Sequence, residues 1–158
     1  MKVRNLVKKT LMVTLVGTFT IVLFTGCKKA DNNKVIDAKV LSDKLLNEIT
    51  YEDELAEVDY DVVYNMDDIK VSKSIVYIGS GATAEEIAVI ECESKEDAKK
   101  AYTALNDRVE EQKVSFKDYV PKELEKLDEA VVIQKGNSVI LSISNESVKA
   151  KDIIEKAE

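Results

Sequence analysis

The chain has 158 residues, a length typical of one domain. Its net charge of -7 leaves no basic excess for phosphate contacts, so nucleic acid is not an expected partner. The sequence contains no histidine, which excludes catalysis by Ser–His–Asp or Cys–His sets and removes the most common transition-metal ligand. We therefore expect no cofactor and no bound metal ion.

The first 26 residues have the pattern of a secretory signal. Residues 10–24 form an uncharged run rich in Leu, Val, Ile and Thr. Four basic residues precede the run: Lys2, Arg4, Lys8 and Lys9. The run is shorter than the roughly 20 residues that cross a bilayer. We interpret residues 1–26 as a signal peptide, and a short transmembrane anchor is the alternative.

Cys27 directly follows the small residues Thr25 and Gly26, an arrangement that resembles the bacterial lipobox. The resemblance implies that the signal is cut before Cys27 and that the thiol carries a diacylglyceryl group. Two or three acyl chains hold a protein stably at a membrane, which places this one on the extracytoplasmic face of the cell membrane. Residues 27–34 then form the lipidated cysteine and a short polar tether. The alternative is an ordinary signal followed by a chance cysteine.

Residues 35–158 are predicted to form a single domain. Apolar residues at helical spacing predict a helix over residues 35–49. The acidic stretch 51–68 follows, with a short strand predicted at residues 62–64.

Two runs rich in Val, Ile and Tyr predict strands over residues 71–78 and 86–92. The second strand is apolar on both faces over residues 87–90, so we expect it to be central and covered. Ser94 with Asp97 resembles a capping box and predicts the start of a helix that ends near Val114.

Pro121 is predicted to open a short helix over residues 122–127. Strands over 130–134 and 138–143 flank Gly136, which suits a two-residue hairpin turn, and a last helix covers 146–156. The order α-β-β-α-β-β-α predicts an α+β, two-layer fold. We expect an antiparallel sheet of about four strands with helices mainly on one face.

Two features are candidates for ligand binding. The loop Gly79-Ser80-Gly81 can offer backbone N–H groups to a phosphate or carboxylate, or it is only a flexible hairpin connection. Tyrosine buries a ring and keeps a polar tip, which suits binding surfaces. The tyrosines selected on this basis are Tyr60, Tyr64 and Tyr119, and the plainer interpretation is that they pack in or near the core. Tyr102 falls on a core stripe of its helix.

The carboxylates admit a functional interpretation and a plainer one. Glu85 and Glu86 are adjacent, which suggests acid–base chemistry, but neighbours in a strand point to opposite faces. We therefore expect them to be surface charges. Glu91, between two apolar residues, is the exception: if it is buried it must be paired, and its candidate partners are Lys70, Lys73 and Lys135.

The acidic stretch and Cys92 are two further candidate sites. The acidic stretch offers possible Ca²⁺ ligands without the spacing of an EF-hand, so a solvated surface is the plainer interpretation. These residues are Asp59, Asp61, Asn65, Asp67 and Asp68. Cys92 has no histidine to activate its thiol and is expected to pack in the core.

Several segments together resemble a clostridial-type family of small lipoproteins that carry one domain of unknown function. These segments are residues 80–89, Arg108 with Gln112, residues 116–121 and Gly136-Asn137. The resemblance implies an extracytoplasmic lipoprotein with a single domain. It implies no activity, substrate or catalytic residue.

We expect a non-enzymatic, lipid-anchored domain that binds an envelope protein, peptide or polymer. The alternative is a small envelope hydrolase or an accessory subunit of an envelope enzyme. An enzyme predicts a pocket in which two or more polar side chains converge. A binding module predicts an exposed apolar or tyrosine-rich patch without such a pocket.

Overall fold

The computed structural model describes residues 36–157. The predicted signal peptide, Cys27 and the tether lie outside the described residues. The elements in chain order are α1 (Ala38–Glu48), β1 (Ala56–Val58), α2 (Tyr60–Val63), β2 (Val71–Ile78), β3 (Glu86–Cys92), α3 (Lys95–Tyr119), a 3-10 turn (Pro121–Glu123), α4 (Leu124–Asp128), β4 (Val131–Lys135), β5 (Ser138–Ile143) and α5 (Ser147–Lys156).

The strands form one antiparallel sheet with the order β1-β2-β3-β5-β4. The prediction that β3 is central is confirmed: Ala88 lies opposite Val76 of β2 and Leu141 of β5. The α+β class, the antiparallel pairing and the element order are also confirmed. The sheet has five strands rather than about four, because the short strand β1 in the acidic stretch pairs with the edge of β2.

Helices cover both faces of the sheet, so the prediction of two layers with helices mainly on one face is wrong. Ala88 and Ile90 of β3 pack on the α3 side. Ile87 and Val89 pack on the opposite side, where α1 and α5 lie. A strand that is apolar on both faces needs a covering layer on each, and β5 is buried at all six positions. The domain therefore has three layers.

Helix α3 runs to Tyr119, beyond the predicted end near Val114. Its buried stripe continues through Gln112 to Phe116, and Pro121 then prevents further helix. The predicted cap is present, because the backbone N–H of Asp97 donates to the Ser94 hydroxyl at 3.0 Å. Tyr102, predicted to be in the core, has 40% of its surface exposed.

The acidic stretch differs most from its prediction. Residues 62–64 do not form a strand: Val62 and Val63 belong to α2, and Tyr64 caps it. The β4–β5 hairpin is confirmed, and Gly136 has a φ of 61° at its turn. None of the helices in residues 36–157 combines the length and apolar character that a membrane span requires.

Candidate functional site

A cleft of about 350 Å³ opens between the β2–β3 loop and the C-terminal half of α3. This volume is within the range of roughly 300–1,000 Å³ that small-molecule sites occupy. Four of the six predicted binding residues line it: Gly79, Ser80, Gly81 and Tyr119. The structure thus brings the glycine loop and a tyrosine 40 residues later in the chain to one site.

The helical wall of the cleft is one stripe of α3. Positions three and four apart on a helix are neighbours on its surface. The wall residues follow this spacing: Arg108, Gln112, Ser115, Phe116 and Tyr119. Tyr119 is 70% exposed, and Phe116 is buried beside it with ring centroids 6.3 Å apart. The cleft therefore has an exposed aromatic ring at its rim.

The opposite wall is the β2–β3 loop, which Asp53 holds in place. One Asp53 oxygen accepts hydrogen bonds from the Ser80 backbone N–H at 2.6 Å and from the Ser80 hydroxyl at 2.7 Å. These bonds lower the pKa of Asp53. A Cβ at Gly79 would lie 2.8 Å from the same oxygen, so glycine permits this close approach. These contacts join Gly79 and Ser80 to the α1–β1 connection.

The floor of the cleft is the Glu86 cluster, formed by Tyr64, Glu86, Arg108 and Gln112. Glu86 is 1% exposed and accepts hydrogen bonds on both oxygens. Oε1 accepts from the Tyr64 hydroxyl at 2.5 Å. Oε2 accepts from Gln112 Nε2 at 2.6 Å and from Arg108 Nη2 at 3.2 Å. Every carboxylate oxygen thus has a donor.

Burial raises the pKa of Glu86, while the positive charge of Arg108 and three hydrogen bonds oppose the rise. Burial and the neighbouring Glu86 also raise the pKa of Tyr64 well above its usual value. Tyr64, a candidate binding residue, is buried, as the plainer interpretation of core packing expects, and it reaches the cleft only through Glu86. Tyr60 packs against the core and does not line the cleft.

A second buried network, the Lys126 cluster, comprises Glu52, Glu85, Glu123 and Lys126. The Lys126 ammonium is 3.1 Å from a carboxylate oxygen of each of the three glutamates. Glu85 also accepts from the backbone N–H groups of Glu52 and Asp53 at 2.9 Å. The cluster thereby ties the α1–β1 connection to the β2–β3 loop and to α4.

The charges of the Lys126 cluster stabilise one another. Burial alone lowers the pKa of Lys126, but hydrogen bonds to the three glutamates outweigh it and raise the pKa. The pKa of Glu52 is lowered to about 2 by hydrogen bonds from Asn145, Lys126 and Lys122. This network contains its own compensating cation, which indicates a structural role.

The prediction that Glu85 and Glu86 are surface charges is wrong, because each is 1% exposed. Their separation into different networks is as expected for neighbours in a strand. Sequence reasoning missed their burial because their charged partners, Arg108 and Lys126, lie 22 and 41 residues away.

Glu91, the carboxylate with apolar neighbours in the sequence, is half-buried, so the condition for a buried ion pair is not met. In the described part of the chain none of its three candidate lysines pairs with it. Lys73 pairs with Asp37, Lys70 with Glu93, and Lys135 donates to carbonyl groups at the end of α5.

The remaining candidates do not form a site. Within residues 36–157, no group of three or more Cys, Asp or Glu side chains is arranged to hold a metal ion. Three of the acidic-stretch residues line a shallow depression beside Lys100: Asn65, Asp67 and Asp68. Cys92 is buried in the core as predicted, and burial raises its pKa to about 11.

The fold and cleft define a single α+β domain with one candidate ligand site, and the comparisons agree with a single domain. Residues 47–144 match a family described as a domain of unknown function, DUF4358. The match spans more than half of the chain, so the protein belongs to this family. Neither the curated proteins nor the solved structures give a match. The matched region contains the cleft and both buried clusters.

Proposed function

We propose that the protein is a lipid-anchored, extracytoplasmic module of the bacterial cell envelope that binds its ligand in the cleft and is not an enzyme. The observation that carries this proposal is the cleft itself. It combines an exposed tyrosine, a loop fixed by Asp53 and a floor whose buried charges are already paired. Such a preformed surface binds without first having to order its walls.

The anchor is argued from the sequence. Residues 1–26 have the pattern of an export signal, and Cys27 occupies the position that a lipobox requires. Loss of that segment would bring the net charge to -11, which an anionic membrane repels, so the lipid would supply the attachment. The preference for Lys over Arg favours a low-GC, Gram-positive source, and the resemblance to a family of small lipoproteins implies a clostridial type.

Binding is favoured over catalysis because both carboxylates that line the cleft are engaged. Glu86 accepts from Tyr64, Arg108 and Gln112. Glu85 is paired with Lys126 in the other network. General acid–base catalysis requires a carboxyl group within hydrogen-bond reach of the substrate, and these oxygens already have donors.

A small envelope hydrolase is the second candidate, and Glu86 is the observation that favours it. A buried carboxyl group with a raised pKa in a cleft is the usual form of a general acid. The cleft also has the converging polar side chains expected of an enzyme. Glu86→Gln separates the two functions: a hydrolase loses turnover with this variant, whereas a binding module shows no turnover with either form.

The anchor is tested by metabolic labelling with an alkyne fatty acid. The wild-type chain should incorporate the label and remain with the membrane. Cys27→Ser should lose the label and stay uncleaved or be shed to the medium. Label that persists on Cys27→Ser would contradict lipidation at this residue.

The cleft is tested by placing a photo-reactive phenylalanine analogue at Tyr119 in the full chain in living cells. The matched control carries the same group at Tyr102, which is exposed on the same helix but does not line the cleft. We expect a defined adduct with an envelope component from position 119 and none from position 102. Equal adducts from both positions, or none from position 119, would contradict binding in the cleft.

A further inference from the structure

Each charged side chain that lines the cleft already has a partner of opposite charge. Arg108 pairs with Glu86 at 3.2 Å, and Glu85 pairs with Lys126 at 3.1 Å. An anionic ligand would meet the Glu86 carboxylate beside Arg108 as well as the negative charge of the whole domain. A cationic ligand would meet the Arg108 guanidinium. The electrostatics therefore favour an uncharged ligand.

The cleft nevertheless keeps free hydrogen-bonding groups of both kinds. Arg108 uses Nε and Nη2 on Glu86, and within residues 36–157 no atom accepts from its Nη1. The Gly81 backbone N–H likewise has no acceptor among these residues. Gln112 donates through Nε2, and its Oε1 accepts from no described group. A ligand with hydroxyl groups matches this set, because a hydroxyl both donates and accepts.

The rim of the cleft supplies an apolar surface that suits a sugar ring. Tyr119 is the last residue of α3, and its ring packs beside that of Phe116 with an interplanar angle of 48°. Pro121 follows two residues later and fixes the backbone direction there. The C–H face of a sugar ring stacks on such a ring, while its hydroxyl groups remain free to bond polar side chains.

The sheet topology disfavours an extended peptide at the same place. Peptides commonly add as a strand to an exposed sheet edge. Strand β2 is paired with β1 and β3, and strand β3 is paired with β2 and β5. At the end that borders the cleft, residues 76–78 of β2 pair with β1 and residues 86–88 of β3 pair with β5, so neither strand has a free edge there.

We infer that the cleft binds a neutral saccharide, with a sugar ring stacked on Tyr119 and hydroxyl groups bonded to Arg108 and Gln112. This inference rests on the proposed function, because it names the ligand class of the same cleft. Three observations support this ligand class. The charged side chains of the cleft are paired, the cleft keeps both donors and acceptors, and the Tyr119 ring is exposed.

The test is calorimetric titration of the full chain, purified in detergent micelles, with two neutral trisaccharides, chitotriose and cellotriose. At least one should bind saturably. Tyr119→Ala should weaken the affinity about tenfold through loss of the stacked ring. Tyr119→Phe keeps the ring and should bind as the wild type does. Tyr102→Ala, on the same helix and outside the cleft, should also leave affinity unchanged.

The outcomes separate this inference from the proposed function. If neither trisaccharide binds while the adduct at position 119 persists, the saccharide is wrong and the cleft remains a binding site. If tri-alanine, a neutral peptide, suppresses that adduct and the sugars do not, the ligand is a peptide and the inference is overturned. If neither sugar binding nor the adduct occurs, both proposals fail. If Tyr102→Ala lost as much affinity for the trisaccharide as Tyr119→Ala does, stacking on Tyr119 would also be overturned.

Discussion

Glu85 and Glu86 are neighbours in the chain, are equally buried, and belong to networks of opposite design. Glu85 lies in the Lys126 cluster, where one ammonium group bonds three carboxylates from separate parts of the chain. Glu86 lies in the Glu86 cluster, where one carboxylate receives three different donors and borders an open cleft. The first arrangement fastens segments together, whereas the second leaves donors and acceptors for a ligand.

The two clusters also differ in what happens when a partner is removed. In the Lys126 cluster one buried ammonium group pairs with two carboxylates that are almost fully buried, and of these two the exposed Lys122 reaches only Glu123, at 3.9 Å. In the Glu86 cluster the loss of Arg108 leaves Tyr64 and Gln112 as donors to one carboxyl group, which can also take up a proton. The difference predicts a graded series of effects on stability.

The largest effect is expected for Lys126→Met. It leaves the buried Glu85 without its cation and leaves Glu123 with only the exposed Lys122, 3.9 Å away, and breaking a buried ion pair in this way costs about 3–5 kcal/mol. Chemical denaturation of the full chain measures the change in the free energy of unfolding. Lys156→Met is the control, because Lys156 is 68% exposed in its pair with Asp152 and should cost less than about 0.5 kcal/mol. Equal losses in the two variants would contradict a structural role for Lys126.

Arg108→Met should have an intermediate effect, about 1–3 kcal/mol at neutral pH, through the loss of hydrogen bonds to a charged group. Arg108 lowers the pKa of Glu86, so its removal raises that pKa further. A carboxyl group whose pKa is higher in the folded chain than in the unfolded chain destabilises the fold as pH rises. This loss of stability is absent at low pH, where Glu86 is protonated in both the folded and the unfolded chain. The deficit of the variant should therefore shrink as pH is lowered. A deficit that is constant with pH would contradict an ionised Glu86 at neutral pH.

Glu52 gives the opposite dependence on pH. Its pKa is depressed from 4.5 to about 2, so its stabilising contribution is present above its ordinary value and is lost as pH falls toward about 2. The wild-type chain should lose stability over this interval, and Glu52→Gln should lose less. Thermal melts at a series of pH values compare the two slopes. Parallel slopes would show that Glu52 does not supply the acid sensitivity of the Lys126 cluster.

The smallest effect is expected at the loop that separates the clusters. Gly81 has a φ of 92°, and a Cβ there would meet no atom within 4 Å. Gly81→Ala should cost about 1 kcal/mol from backbone strain alone. Gly81→Asn should cost less, since asparagine tolerates positive φ better. A larger loss for Asn than for Ala would contradict this account of the loop.

Local patterns predicted the elements well. The β-branched runs bounded by glycine located β2 and β3, and Ser94 located the start of α3. The number of layers could have been predicted from the sequence. Residues 87–90 are apolar on both faces, and such a strand needs a covering layer on each side. The prediction of helices mainly on one face did not take this requirement into account.

The site was predictable only in part. The glycine loop and Tyr119 could be selected by residue type, since glycine permits close approach and tyrosine suits binding surfaces. The burial of Glu85 and Glu86 could not, because it depends on Lys126 and Arg108 and on backbone groups that only the folded chain brings close. Single-sequence periodicity contains no signal for such pairs.

Two side-chain amides offer the most direct test of the contrast between the clusters. Gln112 donates to Glu86 at 2.6 Å, and Asn145 donates to Glu52 at 2.7 Å. Both NH₂ groups can be followed in one ¹⁵N correlation spectrum of the full chain. On addition of a trisaccharide that binds in the calorimetric titration, the Gln112 signals should shift saturably and the Asn145 signals should stay in place. Equal shifts of both amides, or a shift of Asn145 alone, would contradict the assignment of binding to the Glu86 cluster and of structure to the Lys126 cluster.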